Sequence, residues 1–165
     1  MSTKRFAEII EGLCRIYGLD HARVLQGDSL ILGEVRIALR YAEGPLSPLL
    51  MMYCDFGPVP KDLEARVYRQ LLESNLTTYT GQSETFCLTP EGRVVFVNNY
   101  LLDTLTPEIL GGYLSLAAIY AKRWREDFFL PEREGKARKT RANTLPDLNR
   151  QSPARGSERT EPKLE

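Results

Sequence analysis

The chain has 165 residues, with 22 Lys+Arg against 22 Asp+Glu, a length that suits one domain and a tail. Zero net charge argues against a strongly basic nucleic-acid binder. No apolar run approaches the roughly 18 residues that a membrane span needs, so no membrane role is expected.

The N-terminal stretch MSTKRFAEIIEGLCRIYG mixes charges among its apolar residues. It reads as a helix over Ser2–Tyr17 and not as a secretory signal. Phe6, Ile9, Ile10, Leu13 and Tyr17 recur at helical spacing, and Gly18 suits the left-handed position after the last turn. A three-stranded meander is expected next. Asp28–Leu32 is short, and Gly33-Glu34 makes a tight hairpin turn. Val35–Ala42 alternates strictly, with Val35, Ile37, Leu39 and Tyr41 against Arg36, Ala38, Arg40 and Ala42. One face of that strand is therefore buried. Leu49–Phe56 is apolar on both faces, which predicts cover on both sides.

Gly57-Pro58-Val59-Pro60 ends the meander and introduces a second helix running to about Ser74. Leu63, Val67 and Leu71 line one side of it, with Tyr68 and Leu72 adjacent. Leu76–Gln82 is a connector or an irregular strand. Ser83–Leu88 and Arg93–Leu101 form a hairpin around Thr89-Pro90-Glu91-Gly92. Thr106 caps a last helix over Pro107–Phe128, whose apolar stripe (Ile109, Leu110, Tyr113, Leu114, Leu116, Ala117, Tyr120, Trp124) is broad. Gly111 and Gly112 inside it are expected to permit a close approach to the sheet. The fold class is α+β, in the order α-β-β-β-α-β-β-α, with a twisted antiparallel sheet flanked by helices.

Residues 131–165 differ in composition. They hold 9 Lys+Arg and 6 Asp+Glu, and their only large apolar residues are Leu145, Leu148 and Leu164. Such a segment buries too little to offset its ordering entropy, so residues 1–130 are expected to fold and 131–165 to form a disordered basic tail. The folded part carries a net charge of −3, from 13 basic and 16 acidic residues.

Catalytic chemistry is not announced. Cys14, Cys54 and Cys87 are widely spaced and form no CxxC, which fits buried thiols in a reducing compartment. The only histidine is His21. No catalytic residue, cofactor site or metal site is expected.

The ordered set of elements resembles the class I chaperones of bacterial type III secretion, the Tir-chaperone family. The likeness is carried by Leu71-Leu72-Glu73-Ser74-Asn75-Leu76 at the helix end, Pro90-Glu91-Gly92-Arg93 in the hairpin and Trp124 in the closing helix. GEVRIALRY and LLMMYCDFGPVP stand at the expected places upstream, and the likeness spans roughly residues 4–128. Two features depart from the family: the chain is neutral where members are usually acidic, and it continues well past the last helix.

The resemblance implies a homodimer in the bacterial cytoplasm, without enzymatic activity. It would bind the N-terminal region of a secreted effector in an extended, non-globular state and keep it competent for export. A dock on the secretion ATPase is compatible with it. Candidate effector-binding residues are Phe6, Ile10, Leu13, Leu30, Leu32, Ile37, Leu39, Met51 and Tyr53. Candidate dimer-interface residues are Leu63, Val67, Leu71, Val95 and Val97. Two other readings stay open: a small α+β ligand-binding domain or enzyme, and a nucleic-acid adaptor acting through the basic tail. Nucleic acid is the less expected partner, because Glu132 and Glu134 interrupt the basic run.

Overall fold

The computed structural model describes residues 2–77 and 84–130. The expected tail (131–165) and the expected strand start at Ser83 lie outside them. The elements are α1 (Ser2–Tyr17), α2 (His21–Gln26), β1 (Leu30–Leu32), β2 (Val35–Glu43), β3 (Pro48–Pro58), α3 (Glu64–Thr77), β4 (Thr85–Leu88), β5 (Arg93–Leu101), a 3-10 turn (Leu102–Thr104) and α4 (Pro107–Asp127). The five strands form one antiparallel sheet in the order β1-β2-β3-β5-β4. The α+β class and the element order agree with expectation, apart from the short α2 and the 3-10 turn.

Local chemistry explains the boundaries. Asp20 caps α2 by accepting from the Ala22 and Arg23 N–H groups, and Gly27 ends it at φ +98°. The Asp28 N–H then donates to Arg23 O at 2.9 Å, which holds Asp28 in the helix cap and out of β1, and the two side chains pair at 2.8 Å. The Leu63 N–H donates to Pro60 O at 2.9 Å, so Pro60–Leu63 is a turn and α3 starts later than the proline pattern implies. Thr106 accepts from the Ile109 N–H and caps α4, with Pro107 in its first turn.

The core lies on one side of the sheet. Val35, Ile37, Leu39, Leu50, Met52, Cys54, Phe56, Val94 and Phe96 project from the strands into a single apolar cluster. Buried side chains from every helix join it, including Val24 of α2 and Val67 and Leu71 of α3. Phe56 is its aromatic centre, with Phe86, Phe96, Tyr120 and Trp124 all 5.5–5.6 Å away. The glycine in α4 serves a different neighbour from the one expected. A Cβ on Gly111 would come within 2.8 Å of the Tyr17 ring, so it admits α1 and not the sheet.

The opposite sheet face has another character. Leu49, Met51, Tyr53, Val95 and Asn99 stay half-buried, and Val97 is buried outside the main cluster. Cover on both sides of β3 is the expectation from its sequence; in this chain only the inner side receives it.

Candidate partner-binding surfaces

The outer face is built by alternation. Because successive strand residues point to opposite sides, burial of Leu50, Met52 and Cys54 forces Leu49, Met51 and Tyr53 outward. Register then sets their neighbours. Tyr53 lies between Ala38 of β2 and Val97 of β5, and Val97 in turn pairs with Thr85 of β4. Met51 lies between Arg40 and Asn99. The Tyr53 hydroxyl leans 3.5 Å from Met51 Sδ. The result is a shallow apolar strip across the middle of the sheet, bordered by Ile31, 63% exposed on β1.

Charge frames one end of this strip. Arg93 donates to both carboxylate oxygens of Asp55, at 3.2 and 2.6 Å. Arg125 donates to the carbonyl oxygens of Phe56 (2.7 Å), Asp55 (2.9 Å) and Glu34 (3.4 Å). These contacts grip the β3 bulge between Asp55 and Gly57, where Gly57 takes φ +115°. The Arg93 and Arg125 guanidinium groups in the neighbouring hollow, which Arg36 also lines, are therefore committed to holding backbone and sheet together.

A second apolar surface follows α4. Ile109, Tyr113, Leu116 and Tyr120 recur along one side and remain 38–63% exposed, with Ile119 beside them. A groove of about 710 Å³ separates this side from β5; Phe96, Asn98, Tyr100, Ile109, Tyr113 and Leu116 are among the residues lining it. Tyr100 and Tyr113 stack across it with centroids 4.5 Å apart. Burial pushes the Tyr100 phenol well above its ordinary pKa, with the Glu84 charge adding to the shift. Its hydroxyl thus stays protonated throughout the physiological range. Asn98, on the groove floor, is buried and donates to Glu84 at 3.3 Å. Leu72 and Leu76, one turn apart on α3, are also exposed, at 69% and 80%.

Not all predicted residues reach these surfaces. Phe6, Ile10, Leu13, Leu30, Ile37 and Leu39 are at most 7% exposed and belong to the core, which corrects the expectation of an open furrow there. A helix stripe and the inward half of an alternating strand are the sheet's own cover and its target. Leu32 is half-buried against that core, and Met51 and Tyr53 alone of the set lie on the outer strip. Of the dimer candidates, Val67 and Leu71 are core residues, which corrects that assignment too, and Leu63 is half-buried against them. Val95 and Val97 face outward. The predicted sites do not include the α4 stripe, although its width signals a surface: a helix buries one side, and Ile109, Tyr113 and Leu116 cannot all share it with Leu110, Leu114 and Ala121.

The thiols divide cleanly. Burial raises the Cys54 thiol to about 12, and burial together with the nearby Asp20 charge raises Cys14. Cys87 is exposed on β4. A thiol reagent at pH 8 should therefore label one cysteine per native chain rapidly, and all three after denaturation. Rapid labelling of two or three native thiols would contradict the packing. Among the described residues no group of three or more His, Cys, Asp or Glu side chains is placed to hold a metal ion, and no helix is long and apolar enough to cross a membrane.

Residues 9–125 match the model of the Tir chaperone protein (CesT) family. The chain belongs to that family. It is thus a type III secretion chaperone by family. No curated protein matches the sequence closely enough to add a relative. Solved structures with the same fold include a chain of the ExsC–ExsE complex, with 20% identity, a TM-score of 0.61 and coverage of 76% of this chain and 95% of that one. A chain of the ExoT–SpcS complex from Pseudomonas aeruginosa is 19% identical, with a TM-score of 0.51 and coverage of 72% and 96%. A chain of the HopA1–SchA chaperone–effector complex is 13% identical, with a TM-score of 0.53 and coverage of 74% and 94%. At these identities the likeness establishes the fold of this CesT-family chain.

Proposed function

We propose that this CesT-family chaperone works as a homodimer in the bacterial cytoplasm, holding the N-terminal segment of a secreted effector in extended form. The observation that carries this is the pair of apolar surfaces left open on a protomer whose core is otherwise closed. Large uncovered patches on soluble proteins mark partner sites.

The two surfaces take different partners. The outer strip around Met51 and Tyr53, with Ile31 at its edge, receives the effector. It is shallow and flanked by a strand edge, so an extended chain gains backbone hydrogen bonds and side-chain contacts together. Methionine adapts its shape to varied side chains. The α4 stripe receives a second copy, with Leu72 and Leu76 of one protomer seated against Ile109, Tyr113 and Leu116 of the other. A two-fold axis makes that contact twice. Binding of this kind needs no cofactor and no reacting group. The proposal extends to a dock on the secretion ATPase, which would take the loaded dimer.

Sedimentation equilibrium of the full chain tests the dimer. The expected mass at micromolar concentration is twice 18.8 kDa. Leu116→Glu should give a monomer with an unchanged far-UV spectrum, because Leu116 is 63% exposed and outside the core. A monomeric parent chain would refute the arrangement.

A further inference from the structure

The sheet ends in two edge strands, β1 and β4, and they are finished differently. An edge strand presents unpaired N–H and C=O groups on which another chain can add a strand. On β4, Asn75 takes that position. Its Nδ2 donates to the Phe86 carbonyl at 3.1 Å, and its Oδ1 accepts from the Phe86 N–H at 2.8 Å. Both bonds are made to one residue, as an antiparallel neighbour would make them. A carboxamide carries the same donor and acceptor as a peptide unit, so it can replace one.

Both ends of this contact are anchored. Leu71, one helical turn before Asn75, is 4% exposed in the core. The Phe86 ring packs on Phe56 and Phe96 at 5.5 and 5.2 Å. The strand is only four residues long, so one residue's outward groups are a large part of its edge.

The other edge lacks such a cover. The two-residue turn at Gly33-Glu34 makes Leu32 and Val35 the closing pair of the β1–β2 hairpin. Alternation then turns the Ile31 N–H and C=O outward. Among the described residues, no side chain takes them.

We propose that Asn75 determines which edge of the sheet is receptive: its carboxamide stands in for a neighbouring strand and closes β4 to any second chain, its own copy included. Resting on the effector-binding function proposed above, this leaves β1 as the edge on which the extended segment adds.

Closure is tested on the full chain alone. In the parent, the Phe86 amide should exchange with solvent as slowly as amides bonded within the sheet. In Asn75→Ala it should exchange at least about tenfold faster, and in Asn75→Asp, which keeps the acceptor, it should remain slow. A short bis-maleimide acting through the exposed Cys87 should join Asn75→Ala chains more efficiently than parent chains. A parent Phe86 amide exchanging as fast as exposed loop amides would overturn the proposal, even if Asn75→Ala fails to fold. Equal cross-linking of parent and folded Asn75→Ala would overturn it too. Neither measurement involves an effector, so their failure leaves effector binding intact, and failure to bind an effector leaves closure intact.

Discussion

Trp124→Ala should lower the unfolding free energy by about 3–5 kcal/mol, the range for deleting a buried aromatic side chain. Trp124 is fully buried on α4 and touches Phe56 of β3 and Phe128 beyond the helix end, at 5.5 and 4.9 Å. It therefore ties the closing helix to the centre of the sheet. Domains of this size are stable by about 5–15 kcal/mol, so the loss would leave many chains unfolded at 37 °C. Urea denaturation followed by far-UV circular dichroism measures it. Trp124→Phe should cost less. It keeps an aromatic ring in the cluster and removes an indole Nε1 that has no hydrogen-bond partner among the described residues. A Trp124→Ala chain within 1 kcal/mol of the parent (about fivefold in the unfolding equilibrium) would mean that α4 does not cover the sheet as described.

Met51→Glu should have the opposite signature. Met51 is half-buried on the outer strip, and no core side chain rests on it. Glutamate there stays hydrated in the free chaperone, so the urea midpoint should shift little. A bound segment would cover the carboxylate without offering it a partner, and the cross-strand neighbour Arg40 turns its guanidinium to the Leu39 carbonyl at 3.0 Å. Leaving a charge buried and unpaired costs about 2 kcal/mol or more, so effector binding should weaken about 30-fold or more. Met52→Glu is the matched control. Met52 is the next residue in β3, is 1% exposed on the inner face, and should unfold the chain. The same substitution one residue apart separates surface from core.

That one-residue distinction also shows how far the sequence could be read. Strict alternation in Val35–Ala42 marks an inner and an outer face, and the structure keeps both. In β3 both faces are apolar, so periodicity cannot tell which side the helices cover; only the third dimension decides. Phe6, Ile10 and Leu13 form a clear helical stripe, but a stripe reports burial and not what buries it. The α4 stripe carried more information. Its width exceeds one helix face, which leaves Ile109, Tyr113, Leu116 and Tyr120 for a surface. Helix α2 was missed because six residues with Val24 alone buried show no period, although Asp20 and Gly27 mark its two ends. The Asn75–Phe86 contact spans 11 residues and joins a helix to a strand, so no local pattern foretells it.

The central claim is that open apolar surfaces on a paired scaffold hold another polypeptide unfolded. Its most direct test is limited proteolysis of the chaperone purified with its bound protein from a secretion-competent bacterium, with the fragments identified by mass spectrometry. The predicted result is one co-purifying polypeptide, protected only over an N-terminal segment and lost from the Met51→Glu variant. Protection spread evenly along the bound protein, or equal retention by Met51→Glu, would contradict it.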